Sequence, residues 1–286
     1  MGIGRAELSL LLHAKKSHID FQDTLILGRH ELLIGEKETV LINEYFGNLL
    51  DQSEIGSAAH DVYCEKLLLA LGAINIESLD ASDYEGASIV HDMNTPVPKS
   101  MHQKYSCIFD GGTTEHIFNT PQVFANIMNM LKIGGSFISI TGGNNWPGHG
   151  LYQFSPELYF SLFSKKSGFS EPVVHLTNPE TFLDWYKVES TISLRSRVEY
   201  TSAKKVMITC IAQKQAHMDI ELPVLQQSDY SDIAWQQQPA IQQRVPEKIS
   251  WIQKLKYFRK MRNKRKGLNL RWSPDHSIRK IDLSKE

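Results

Sequence analysis

Between about residues 20 and 213, short β-branched and apolar runs alternate with stretches whose apolar side chains recur at helical spacing. That alternation predicts an α/β protein with a mostly parallel sheet covered by helices on both faces. The first strand is expected over Thr24 to Leu27, in DTLILGRHELLI. In HDVYCEKLLLALG, Val62, Leu67, Leu68 and Leu71 fall at helical spacing and Gly72 stops the helix. Ile74 to Leu79 reads as a second strand, SIVHDMNTPVP holds a short third that ends at its prolines, and KYSCIFDGG holds a fourth. Thr120 as cap, Pro121 at the first helical position and Gly134 beyond the end frame the next helix. FISIT supplies a fifth strand, and Ser155-Pro156 opens a helix through Phe163 that Gly168 closes. Two last strands, near Ser190 to Tyr200 and Val206 to Ala212, flank the polar turn TSAKK and predict an antiparallel C-terminal hairpin at the sheet edge.

The periodicity disappears from Gln226 to Pro246, a span with seven glutamines that reads as a linker. Beyond it, SWIQKLKYFRKMRNKRKGLNLRW puts Trp251, Ile252, Leu255, Phe258 and Met261 on one helical half, with basic residues around them. Four parts are therefore expected: an N-terminal helical segment (1–20), a main domain (21–218), a Gln/Pro-rich linker (219–247) and a basic amphipathic tail (248–286).

Charge sharpens that division. Residues 248–286 hold 13 Lys and Arg against three Asp and Glu, whereas residues 1–247 hold 18 against 29. An acidic body disfavours nucleic acid as a partner and confines any polyanion to the tail. Residues 250–272 can pack on the body, or meet an anionic membrane surface or a protein partner. With 286 residues, 41% hydrophobic and 22% charged, one main core is affordable, and collagen, coiled-coil arrays and wholesale disorder are excluded. No apolar run is long enough to cross a bilayer or to serve as a secretory signal core, so the expected address is cytoplasmic, with peripheral membrane contact through the tail. Cys64, Cys107 and Cys210 are far apart and read as plain thiols.

In an open parallel sheet, ligands bind beyond the carboxyl ends of the strands, so the residues just after each apolar run carry the chemistry. Here these are Gly28 and Arg29, Asp80, Asp92 and Met93, Asp110 to Thr113, and Gly142 to Asn145. A carboxylate after the second strand can accept two ribose hydroxyls. One followed by an apolar side chain can read an adenine amino group and cover the ring. Glycines after strands one and four let backbone amides approach a polar ligand. A nucleoside suits that rim.

KYSCIFDGGTTEHIFNTPQVFANIMNMLKIGGSFISI, residues 104 to 140, resembles the strand-four phrase of class I, Rossmann-like S-adenosylmethionine-dependent methyltransferases of the small-molecule type. INIESLDAS and SIVHDMNTPVP are similar to that family's ribose and adenine segments. Over about residues 60 to 213 the resemblance implies a seven-stranded sheet with an antiparallel late strand and S-adenosylmethionine as cofactor. It implies cofactor contacts at Asp80 for ribose, at Asp92 and Met93 for adenine, and at Asp110 and Gly111 for the methionine end. The family's glycine-rich first loop is represented by Gly28 alone, since Arg29 and His30 follow it. Arg29 can clamp a carboxylate or phosphate, or form an ion pair at the sheet end.

A hydroxyl acceptor needs a base, and two histidines compete for that role. His149 stands first, in the Gly-rich aromatic loop NNWPGHGLYQF, where Trp146 and Tyr152 can form a pocket wall. His116 stands second, with Glu115 beside it to orient an imidazole or, as in related enzymes, to join a metal site. Two adjacent ligands do not specify a metal, and no metal site is expected. The combined expectation is a methyltransferase of a small-molecule polar acceptor, a sugar or glycan precursor in glycan biosynthesis. The alternative is a catalytically inactive methyltransferase-like binding or scaffold protein that uses its basic tail.

Overall fold

The computed structural model describes residues 2–59, 63–190, 198–218, 225–227 and 278–286. Helices α1 (Arg5–Lys16), α2 (Glu36–Tyr45), α3 (Gln52–Ala59), α4 (Glu65–Ala70), α5 (Thr120–Met130) and α6 (Pro156–Leu162) surround one large sheet. Its strands are β2 (Asp23–Leu27), β4 (Asn75–Asp80), β5 (Ile89–Val90), β6 (Tyr105–Asp110), β7 (Leu131–Asn144), β8 (Val173–Thr177), β9 (Trp185–Val188), β10 (Val206–Gln213) and β11 (Ile278–Ile281). A second, two-stranded sheet pairs β1 (Gly2–Ile3) with β3 (Glu31–Leu32).

The large sheet runs β11-β9-β8-β10-β7-β6-β2-β4-β5. From β5 to β7 every pairing is parallel. Successive residues of these strands feed opposite cores, which is why the strands read as continuous apolar runs. Leu25, Leu27, Ile108 and Phe137 join α5 and α6 on one face. Ile26, Cys107, Phe109, Ile138 and Ile140 join α1 and the helices before β4 on the other. All three cysteines are buried and free, and burial pushes the Cys64 thiol up to about 12.

The α/β class and the two covered faces match the sequence reading. Among the described residues the sheet has nine strands in place of seven, with four antiparallel pairings beside four parallel ones. The antiparallel late strand is present as β10, but the hairpin expected on TSAKK is replaced by another arrangement. β10 lies between β7 and β8, so both its edges are taken. Ser190 and residues 198–200 lie in no strand, and residues 191–197 fall outside the described residues. The physical reason is that β8 and β9, unrecognised in sequence, are short and mix polar with apolar side chains: His175 and Thr177 are buried in β8, with His175 opposite Thr209 of β10, and Lys187 interrupts β9.

The N-terminal helical segment appears as α1, whose Leu8, Leu10, Leu11 and Leu12 are wholly buried in the second core. Nearly all of the expected linker and most of the basic tail lie outside the described residues, including residues 250–272. The chain's end returns as β11, antiparallel to β9, with Glu286 reaching His175 at 3.4 Å. Among the described residues no helix is long and apolar enough to cross a membrane.

Candidate functional site

The chain order of the parallel strands reverses between β2 and β6, and crevices of open α/β sheets form at such a point. Leu27 pairs with Asp110 there, so the carboxyl ends of both strands stop level with one another. Gly28 turns the chain away with φ +74°, and its amide donates to the Leu79 carbonyl at 2.8 Å. A Cβ at this position would stand 2.8 Å from Thr113 Oγ1 and 3.8 Å from Asp80 Oδ2, so Gly28 faces both residues. Thr113 Oγ1 donates to the Leu27 carbonyl at 2.6 Å and roofs the glycine.

Asp80 is half-buried at the end of β4, and its Oδ1 accepts from the Ser82 amide at 3.2 Å. Asp92 is exposed. Its Oδ1 takes the Asn94 amide and side-chain nitrogen at 2.9 and 2.7 Å, and these bonds hold its carboxyl below the usual carboxylate range. Met93 is buried, its carbonyl accepting from Asn126.

Arg29 turns away from the Gly28 crevice. Its Nε donates to Glu65 at 2.6 Å, Nη1 donates to the Glu85 carbonyl at 2.9 Å, and the guanidinium lies 3.9 Å over the Tyr63 ring. The neighbouring imidazole of His30 is wholly buried, edge-on to Phe109, with both ring nitrogens unpartnered. Desolvation lowers it to about 4, so it is neutral near pH 7. A Cβ at Gly111 would come 2.9 Å from His30 Nε2, so that glycine is the space in which the imidazole sits.

Asp110 is fully buried and saturated. Oδ1 accepts from the amides of Thr113 and Thr114 at 2.8 and 3.2 Å, and Oδ2 accepts from Thr114 Oγ1 at 2.6 Å and Ser139 Oγ at 2.9 Å. Ser139 and Thr141, on one face of β7, both meet the Tyr159 hydroxyl. Sequence reasoning passed over this network. Its signal is the polar residue at every second position of the otherwise apolar strand FISIT.

The two candidate bases converge. His116 and His149 stand edge to face with ring centroids 4.9 Å apart, and Trp146 lies 5.3 Å from the His149 ring. Glu115 Oε1 lies 3.7 Å from His149 Nε2. The loop is held down by the Glu115 carbonyl, which accepts the amides of Leu151 and Tyr152, and by Gly150, where a Cβ would strike Glu115 Cγ at 2.9 Å. Tyr152 turns its hydroxyl to the Phe118 carbonyl, and the indole Nε1 of Trp146 donates to the Val206 carbonyl.

Burial lowers His116, helped by the neighbouring imidazole, so it is available as a proton acceptor at neutral pH. Burial raises both Asp110 and Glu115, and the charge of Asp110 adds to the rise of Glu115, to about 8. Four donors oppose the rise at Asp110, whereas Glu115 Oε2 is buried without a partner. Glu115 therefore holds the proton of this pair near pH 7.

No protein-family model matches the chain, and no curated protein does. Similar solved structures include a Burkholderia thailandensis 1,6-didemethyltoxoflavin N1-methyltransferase with S-adenosylhomocysteine bound: 12% identity, 74% of this chain and 78% of that chain, TM-score 0.37. They also include an S-adenosylmethionine-dependent methyltransferase from Thermotoga maritima: 13% identity, 73% and 90% coverage, TM-score 0.38. A Haemonchus contortus phosphoethanolamine N-methyltransferase 2, solved with S-adenosylmethionine, is 14% identical over 72% of this chain and 52% of that one, TM-score 0.38.

Proposed function

We infer that the protein is an S-adenosylmethionine-dependent methyltransferase of a small polar acceptor, a sugar or glycan-precursor hydroxyl. The observation that carries the reading is the juxtaposition of Gly28, Asp80 and Thr113 at the point where strand order reverses. The nucleoside end suits the cofactor: Asp80 Oδ2 is uncommitted to any described donor and would accept ribose hydroxyls, while Asp92 and the segment through Met93 would border the adenine.

At the methionine end Asp110 works indirectly, because all its acceptor capacity near Thr113 is already spent on fixing that turn beside Gly28 and Gly111. Arg29 would reach a carboxylate only by leaving Glu65. When bound, the cofactor supplies an electrophilic methyl group on a sulfonium. His149, or His116 beside it, would accept the acceptor's hydroxyl proton as the oxygen attacks.

A second reading, a binding or scaffold protein without transfer activity, is favoured by the Thr113 hydroxyl over Gly28 and by His30 in the loop that the resemblance expects to be glycine-rich. Calorimetric titration of the full chain with S-adenosylhomocysteine separates the two. Binding that Asp80→Ala weakens at least tenfold supports the enzyme, and no heat at millimolar ligand overturns it.

A further inference from the structure

Three donors from two loops meet outside the nucleoside crevice. Glu115 and His116 come from the turn after β6 and His149 from the loop after β7, and one ligating atom of each lies within 4.8 Å of the other two. Glu115 is 1% exposed as a residue; its Oε1 faces His149, and its Oε2 is sealed from water without a hydrogen-bond partner. Burying such an oxygen unsatisfied is costly, so natural proteins leave one orphaned where something else completes it. The imidazoles are equally uncommitted: their described neighbours are each other, Trp146 and the Glu115 carboxyl.

We propose that Glu115, His116 and His149 bind a divalent transition-metal cation of the zinc class, which displaces the proton that Glu115 otherwise holds. One carboxylate and two imidazoles are a donor set for zinc, cobalt or nickel and a poor one for magnesium or calcium, which prefer all-oxygen shells. Bonds of about 2.1 Å place neighbouring tetrahedral donors about 3.4 Å apart. The 3.7 Å between Glu115 Oε1 and His149 Nε2 already approaches that spacing. The remaining closure falls to His116, which is exposed, whereas Glu115 is buried in the wall. With three protein ligands and two of them reaching solvent, the fourth position is open, as in zinc sites that bind a water or a substrate oxygen.

The Trp146 ring beside His149 supplies an apolar wall that limits ligand exchange. Pairing by sequence spacing alone misses the site, because His149 lies 33 positions beyond His116 and only the Gly150 turn brings it back.

The cation site does not depend on cofactor binding, but with a cation bound His116 and His149 would be ligands and the base role proposed for them would pass to an oxygen in the fourth position. The test of the site needs no cofactor. Full-length protein is stripped with chelator and titrated with Co²⁺, read by visible ligand-field absorption, and with Zn²⁺, read by calorimetry. The expected result is one equivalent per chain with a four- or five-coordinate cobalt spectrum. Affinity should fall on the order of 100-fold or more in His149→Ala and in His116→Ala, and stay unchanged in the surface control His18→Ala. Both imidazoles reach the surface, so these variants fold even where Glu115→Gln does not. No stoichiometric binding, or binding that survives the His116→Ala/His149→Ala double variant, overturns the proposal.

Discussion

At the β4 and β5 end of the rim, the carboxylates of Asp80 and Asp92 stand half-buried and exposed, occupied only by the amides of their own turns. At the β6 and β7 end, Asp110 and Glu115 are sealed under the sheet's edge, one saturated by four donors and the other left with an orphan oxygen. The first end is soft: its polar groups are hydrated before any ligand arrives, and its geometry is set by local turns. The second is preorganised, with fixed dipoles and a low dielectric in which each charge interacts strongly. On the proposed reading, recognition would fall to the open acids and the chemistry to the histidines beside the buried pair, and the two ends should respond differently to the same kind of substitution.

The largest difference is expected in stability. Asp110→Ala strands two backbone amides and the Thr114 hydroxyl inside the protein, leaves Ser139 with Tyr159 alone, and should cost about 3–5 kcal/mol, read as a fall in the urea midpoint at unchanged slope. Asp80→Ala, half-exposed with a single long amide contact, should stay within about 0.5 kcal/mol while losing ligand affinity. Equal destabilisation of both variants would erase the distinction between the two ends.

Acid should act next, chiefly through buried imidazoles. Burial holds His13 and His30 at about 4, well below an exposed imidazole, and lowers His175, which packs edge-on to His13. Below about pH 6.5 the unfolded chain takes up protons that these rings refuse in the fold. Their contribution is complete above that pH and is lost as pH falls to about 4, roughly 3 kcal/mol for each of His13 and His30. Glu286, pulled down to about 2 chiefly by its bond to His175, adds a loss over lower pH, from its unfolded value near 4.5 down to 2. Thermal melts should fall steeply between pH 6.5 and 4, and His30→Phe, which keeps the ring without the proton site, should flatten that fall.

The open half was readable from sequence because each element there is local. A strand of apolar residues followed by Asp or Gly states its own end, and Gly28, Asp80 and Asp92 stand at strand ends in space, as Asp110 does on the buried side. Arg29 was readable only as two options, because its partner Glu65 lies across the crossover to α4. The buried half depends on contacts between residues far apart in the chain. His149 and Glu115 each had a local signal, but nothing in either segment specifies that Gly150 packs against Glu115. β8 and β9 escaped because VVHLT and WYKV are short and mix polar with apolar side chains, and β11 pairs with a strand some 90 positions earlier. Its partner is chosen by tertiary packing, which local pattern does not record.

The smallest effect should come from the residue that joins the two halves. Thr113 belongs to the buried side through its amide on Asp110 and to the open side through its hydroxyl over Gly28. Thr113→Ala keeps the amide and removes the roof. One hydrogen bond to the Leu27 carbonyl is lost, worth about 1 kcal/mol, so the protein should melt a few degrees lower at most. Removing a hydroxyl that stands 2.8 Å from where a Gly28 side chain would begin widens the crevice beside Asp80. S-adenosylhomocysteine should then bind severalfold tighter, with no gain in Thr113→Ser, which retains the hydroxyl. If the alanine variant binds more weakly than the parent, the hydroxyl is holding the crevice in shape, and the binding-protein reading loses its main support.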